Sequence, residues 1–276
     1  MDRLSAVINR FPISAHFVYA GELCGTSDFS ASEGSGHLHI LRRGKLTLTC
    51  ESGQPIIIDR PALLLFPKPM RHRLFAQDNV SAEVVCASVQ FGTTPNNPFL
   101  KAFPDLLNIP LDSSPSLQSA LELLFEEAFG QRCGRQTAVN RLTEYCLLLT
   151  LRHIIARKVV DSGVLSGLSD PRIAKAITAL HDHPGRAWTL VSLAEAAGMS
   201  RARFAAQFRQ TVGKTPLEYL TDWRLGVAQS LIKQGKPLKF IAVDVGYASA
   251  ATFSRVFVER VGLTPKEWLQ QVQAGN

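Results

Sequence analysis

Two groups of side chains in this 276-residue sequence have the types and spacing to do chemistry. The first is a set of thiols and imidazoles. Cys24, Cys50, Cys86, Cys133 and Cys146 all fall within the first 146 residues, and His37, His39 and His72 lie among them. His37 and His39 are two apart in a run that reads as a strand, so they share one face. Thiolate and imidazole are donors that zinc prefers, and two of each complete a tetrahedral set. Low-pKa thiols within reach of solvent react with oxidants instead. The odd cysteine count and the opening MDRLSAVINRFPIS, which lacks an apolar signal region, predict a cytosolic chain without structural disulfides. On residue types alone these cysteines are metal ligands, redox-active thiols or plain core residues.

The second group is basic. Residues 171–276 hold 14 Lys/Arg against 7 Asp/Glu and residues 1–170 hold 16 against 16, so the whole net charge of +7 is C-terminal. A basic domain beside a neutral one points to a polyanion as partner of the first. Arginine bridges two acceptors on a guanine edge, while flanking Lys and Arg hold phosphates. No apolar run approaches the roughly 18 residues that span a bilayer.

The elements that position those arginines are written twice. FRQTVGKTPLEYL (Phe208–Leu220) and FVERVGLTPKEWL (Phe257–Leu269) share Phe, Val-Gly, Thr-Pro, Glu and Leu at a spacing of 49 residues. Upstream of each, LVSLAEAAGMSRARFAAQF and KFIAVDVGYASAATFSRVF read as a helix, a glycine turn and a second helix, with Ser200 and Ser249 as N-caps. That pattern is a helix-turn-helix, present in two copies. Phe204 with Phe208 and Phe253 with Phe257 turn one face of each second helix inward and leave the other free. Thr215-Pro216 and Thr264-Pro265 cap the helices that follow. The helix PLEYLTDWRLGVAQSLIKQ between the units, at about 1.5 Å per residue, is long enough to hold the two second helices about one DNA turn apart. Seven helices are expected from Asp170-Pro171 onward, and VVDSGVLSGLSDP before them reads as an interdomain linker.

The N-terminal half reads differently. Short apolar runs from HFVYAGEL to AEVVCASVQF, ending near residue 95 and separated by turn residues, predict a sandwich or barrel. SLQSALELLFEEAF and AVNRLTEYCLLLTLRHIIARKVV predict two helices with apolar surface enough for a dimer seam.

Residues 171–273 resemble the DNA-binding domain of the AraC/XylS family of transcription regulators, through WRLGVAQSLI and IAVDVGYASAATFSRVFVERVGLTP. GHLHILRRGKLTL and PKPMRHRL stand where the two motifs of a cupin sensor domain stand, so the first half resembles that domain. The resemblance implies an α+β protein: a cupin-like β-barrel with a helical pair over 1–160, a linker over 161–170 and an all-α domain of two helix-turn-helix units over 171–276. It implies groove-facing positions at Ala251, Thr252 and Arg255, with Arg255 as base reader. In the first unit the matching positions are Ala202, Ala205 and Ala206, with Ser200 opening the helix and Arg201, Arg203 and Arg209 at phosphates. It implies that His37 and His39 face a barrel cavity with His72. Cys24, His39, His72 and Cys86 form a Cys…His…His…Cys pattern like that of one branch of these regulators, with zinc as cofactor and His37 as substitute or neighbour. The carboxylate of metal-binding cupins falls among Leu41, Arg42 and Arg43 and is absent, which disfavours cupin catalysis. Some cupin regulators of this form sense reactive chlorine or electrophiles. The implied partners are double-stranded promoter DNA, RNA polymerase, a small-molecule or oxidant effector and a second copy of the chain, with activation as output and no membrane. Two rival readings stay open: a metal-dependent cupin oxygenase or isomerase with a passenger DNA-binding domain, and an architectural DNA binder whose β-domain only dimerises.

Overall fold

Alternating apolar residues drive the first half into paired strands with one buried face. The computed structural model describes residues 2–274 except 32–34, 52, 78–80, 93–99 and 101–102. Residues 12–92 and 103–159 form one unit, and residues 2–11 and 160–274 another.

The β-unit contains β1 (Ile13–Leu23), β2 (Gly25–Phe29), β3 (Gly36–Arg43), β4 (Leu46–Cys50), β5 (Ile56–Ile58), β6 (Ala62–Phe66), β7 (His72–Ala76), β8 (Ala82–Phe91) and β9 (Leu107–Pro110). They build two antiparallel sheets, β1-β8-β3-β6-β9 and β2-β7-β4-β5. Every second residue points into a shared core: Leu46 and Leu48, Leu74 and Ala76, Ala82, Val84 and Cys86, Leu64 and Phe66. β9 lies beyond residue 95, where the sequence reading ended the strands. It joins the sheet beside β6, with Leu107 and Ile109 buried.

The expected helical pair is present as α2 (Pro115–Phe129) and α3 (Arg135–Arg157). Helix α3 covers β1, an outer strand of the larger sheet. Asn140 Oδ1 accepts from the Phe17 N–H at 2.7 Å and Glu144 Oε1 from the Ala15 N–H at 3.4 Å. Side chains of α3 thus occupy ladder positions that a sheet edge would leave open to another strand.

The second unit holds α1 (Ser5–Arg10), α4 (Val164–Ser169), α5 (Pro171–Asp182), α6 (Leu190–Ala197), α7 (Arg201–Val212), α8 (Pro216–Lys233), α9 (Leu238–Asp244), α10 (Ala250–Val261) and α11 (Pro265–Ala274). The seven helices expected after Asp170 are there. By contact, residues 161–170, expected as a linker, and residues 2–11, expected in the first domain, group with this second unit. Val164, Leu165 and Leu168 are buried and make α4 part of this unit's core. Glycine 167 permits the close seat, since a Cβ there would lie 2.5 Å from Ile177 Cδ1 and 2.9 Å from Val212 Cγ2. The Gly and Ser letters that read as a linker therefore serve packing. At the other end of the chain, Phe11 is buried edge-on against Trp223, with ring centroids 5.2 Å apart.

On Trp223 also stacks His181, at 3.6 Å, with its Nε2 2.6 Å from the Tyr219 hydroxyl oxygen. Burial pushes the His181 pKa down to about 3. The folded unit therefore refuses a proton that the unfolded chain accepts near pH 6.5. Stability is full above that pH and is lost as pH falls toward 3. Between pH 7 and pH 5 this residue alone is expected to cost about 2 kcal/mol. Thermal melts of His181→Phe at the two pH values should show a flatter dependence than wild type; an unchanged slope would exclude His181 as its source.

Candidate functional site

In the β-unit, register places the imidazoles and thiols in a row across the barrel. Cys86 on β8 is the direct cross-strand partner of His39 on β3, and Cys50 on β4 is that of His72 on β7. Between the two sheets His39 Nε2 lies 2.7 Å from His72 Nε2, and His39 Nδ1 lies 3.2 Å from Cys86 Sγ. His39, His72 and Cys86 are buried, Cys50 is half-buried, and the rings of Phe66 and Phe29 stack parallel to His72 at 3.8 and 5.1 Å.

The protons in this row have a defined direction. His72 Nδ1 is 2.8 Å from the Met70 carbonyl, which only accepts, so Nδ1 carries hydrogen. Burial lowers the His72 pKa to about 4, against the opposing Met70 bond, and lowers that of His39 well below the ordinary value, with His72 and His37 adding to the effect. Both rings are neutral at pH 7. His72 Nε2 is then an acceptor, His39 Nε2–H donates to it, and His39 Nδ1 accepts from the Cys86 thiol. Burial pushes that thiol up to about 12, which keeps the hydrogen on sulfur. The row reads Cys86 S–H to His39, His39 to His72, His72 to the Met70 carbonyl.

Cys24 does not join it. Leu23 fills the core, so the next residue turns outward, and Cys24 is exposed. Cys50 takes the place on the inner face that the sequence reading gave to Cys24. The alternation Leu46, Leu48, Cys50 carried that signal. His37 is buried beside the row, its ring 6.0 Å from that of His39 and 5.1 Å from that of His72.

A tetrahedral zinc ion needs its donors about 2.0–2.3 Å from one point. His39 instead turns its two nitrogens to different partners, and among the described residues no group of three or more His, Cys, Asp or Glu is placed to hold a metal ion. The donors as they stand do not fit one zinc. Of the three residues among which the cupin carboxylate was expected, Leu41 is buried, while Arg42 turns to Glu83 at 3.3 Å and lies over the Phe125 ring at 5.3 Å.

In the second unit the two helix-turn-helix pairs are α6–α7 and α9–α10. Phe204 and Phe208, with centroids 5.5 Å apart, and Phe253 and Phe257, 5.6 Å apart, are fully inward. The opposite faces expose Arg201, Ala202, Arg203, Ala206 and Arg209 on α7, and Ala251 and Arg255 on α10; Ala205 and Thr252 are half-buried. Two expectations change in detail. Ser200 is exposed and makes no side-chain cap bond, so its hydroxyl is available to a ligand, whereas Ser249 accepts from the Thr252 N–H at 3.1 Å. The Thr252 hydroxyl lies 3.0 Å from Ser249 Oγ, which ties it to the cap. Thr215 with Glu218 and Thr264 with Glu267 form reciprocal capping boxes, as the repeated Thr-Pro pairs led one to expect.

The sequence reading assigned Arg224 no role of its own. Its Nε and Nη2 donate to the carbonyls of Pro184 and Arg186, both at 2.9 Å, and its guanidinium lies over Tyr247 at 5.5 Å. Backbone carbonyls leave no trace in residue type. Among the described residues no helix is long and apolar enough to cross a membrane.

These features match known proteins in both halves. The Cupin family pattern matches residues 2–156 and a helix-turn-helix domain pattern matches residues 193–271. The RCS-specific HTH-type transcriptional activator RclR of Escherichia coli is 33% identical over 257 residues, 90% of each chain. A putative AraC-like transcription regulator of Streptomyces lividans is 35% identical over 182 residues, 64% of this chain and 60% of its own. Among solved structures, fatty-acid-bound ToxT of Vibrio cholerae is similar at 16% identity over 94% of both chains, with a TM-score of 0.42. With a cupin half, two helix-turn-helix units and a relative of this identity along nine-tenths of its length, the chain belongs to the AraC family of DNA-binding transcription regulators, among those with an N-terminal cupin domain.

Proposed function

We propose that the chain regulates transcription from specific sites and that its cupin unit senses an oxidant or small electrophile at the Cys86–His39–His72 row. The observation that carries this reading is the buried thiol hydrogen-bonded to a neutral imidazole inside an otherwise apolar barrel. Because the Cys86 thiol is buried and held protonated, the reagent must enter the barrel and the proton must leave as the bond forms: with hypochlorous acid an S–Cl bond forms, the O–Cl bond breaks, and the thiol proton, taken by His39 Nδ1, goes out with the hydroxide as water. The name of the Escherichia coli relative, RCS-specific and an activator, agrees with a chemical signal and with activation. The curated relatives are regulators and no carboxylate stands among Leu41, Arg42 and Arg43, both of which favour a non-enzyme over a metal-dependent oxygenase or isomerase.

Further parts of the reading concern partners. A second copy of the chain would cover Leu123 on α2 and Tyr145 on α3, which are 57% and 48% exposed. Bound at a promoter in the cytoplasm, the dimer would act through RNA polymerase.

Stoichiometric hypochlorite should change DNA affinity by about 5- to 150-fold, the usual span of coupling between two sites, and should leave Cys86→Ser unaffected. Binding that ignores oxidant, or a Cys86→Ser variant that responds as wild type does, would overturn the sensing reading. A second reading, zinc, draws on the two thiols and two imidazoles of the row, with Cys50 in place of Cys24. It requires His39 to turn one nitrogen away from its present partner. Elemental analysis decides it: this reading, and not the first, calls for about one zinc per chain, and a metal-free, folded, DNA-competent protein rules it out.

A further inference from the structure

The two DNA-facing helices are anchored differently. Asp170, at the joint of α4 and α5, divides its carboxylate. Oδ1 accepts from the N–H groups of Arg172 and Ile173 at 2.8 and 3.1 Å and caps α5. Oδ2 accepts from Gln207 Nε2 at 2.6 Å, a bond to a charged oxygen and so stronger than a neutral one. Gln207 lies on α7 immediately after Ala206 and one turn after Arg203. The close seat of α4 at Gly167, against Ile177 of α5 and Val212 at the end of α7, supports the same helix from beneath. The repeat places Val256 at the corresponding position of α10, 49 residues on, and valine has no polar group to make such a tie.

We propose that Asp170 is a positioning residue for sequence reading by the first helix-turn-helix, acting through Gln207. The inference rests on α7 facing DNA. The physical reason lies in reach. The repeat that pairs Gln207 with Val256 sets Ala202, Arg203 and Ala206 against Ala251, Thr252 and Arg255, so alanine stands on α7 where α10 carries its long reader, and a methyl group contacts thymine methyls or base edges only at close approach. Reading through Ala202 and Ala206 therefore needs the helix held to within about 0.5 Å, a tolerance that a rigid second layer provides. Arg255 on α10 is long enough to adjust to its base, so α10 needs no equivalent tie.

Binding-site selection with the full chain tests this. Asp170→Ser keeps an oxygen cap for α5 and has no second oxygen for Gln207; Gln207→Met removes the donor at matched length. Asp170→Asn is the conservative rescue, because its oxygen still caps α5 and its amide donates to the Gln207 oxygen once that amide flips. The base pairs that relax in Arg255→Ala mark the block read by α10, and the remaining block belongs to α7. Asp170→Ser and Gln207→Met are expected to lose about tenfold discrimination in the α7 block, with the α10 block unchanged and Asp170→Asn like wild type. Variants that keep the α7 block, or that flatten both blocks equally, overturn the proposal alone. A wild type with no α7 block overturns it together with the reading on which it rests.

Discussion

A fragment that begins at Pro171 is expected to melt at least about 4 to 8 °C below one that begins at Val160, the shift that losing a helix cap of about 1 kcal/mol produces in a domain of this size, and to bind DNA more weakly. The shorter fragment lacks α4, whose Val164, Leu165 and Leu168 are buried in the DNA-binding unit. Burying an aliphatic side chain of this size contributes about 1.5–3 kcal/mol, an upper bound given that the unfolded chain already hides part of that surface. The Asp170 cap on α5 adds about 1 kcal/mol. Both fragments lack Phe11, so the difference isolates residues 160–170. Calorimetry on the pair decides the matter. Equal melting temperatures would mean that α4 only rests on the unit, and that the boundary at 171 suggested by the Asp-Pro signal is the true one.

The second large effect concerns base reading. Arg255→Ala should cost about 1 to 3 kcal/mol and relax preference at one base pair, the loss expected of a bidentate guanine contact. Arg255 is exposed on α10, away from buried Phe253 and Phe257. Its neighbour Thr252 has its hydroxyl tied to Ser249, which leaves Arg255 as the long hydrogen-bonding group on that face. Arg201→Ala should weaken binding to all sequences evenly and lower the salt slope by about one ion, as loss of a phosphate contact does. Selected sites with the same preference for Arg255→Ala as for wild type would remove it as reader.

Much of this molecule was legible in its residues. The two copies of Phe-x3-Phe, the glycine turns and the Thr-Pro caps act within one helical turn or between adjacent turns, so their outcome is nearly independent of the rest of the chain. The structure returned them in place, down to the reciprocal Thr215–Glu218 and Thr264–Glu267 bonds. The face shared by His37 and His39 was likewise a matter of strand period.

Where the reading failed, the missing information was non-local. Cys24 and Cys50 are equally cysteine, and residue type ranks neither above the other; the register of β4 on β7 sets Cys50 opposite His72, while Leu23 takes the inward place next to Cys24. The glycine and serines before Asp170 carry the composition of a linker, and only contact with Ile177 and Val212 gives Gly167 its reason. By itself the sequence determined the two helix-turn-helix units, the basic face and the strand faces, because each depends on periodicity and on neighbours a few residues away. The tertiary structure decided which thiol meets which imidazole, which way the proton row runs, and that residues 2–11 and α4 belong with the DNA-binding unit. Those outcomes depend on strand register and on packing between segments far apart in the chain, which no local pattern encodes.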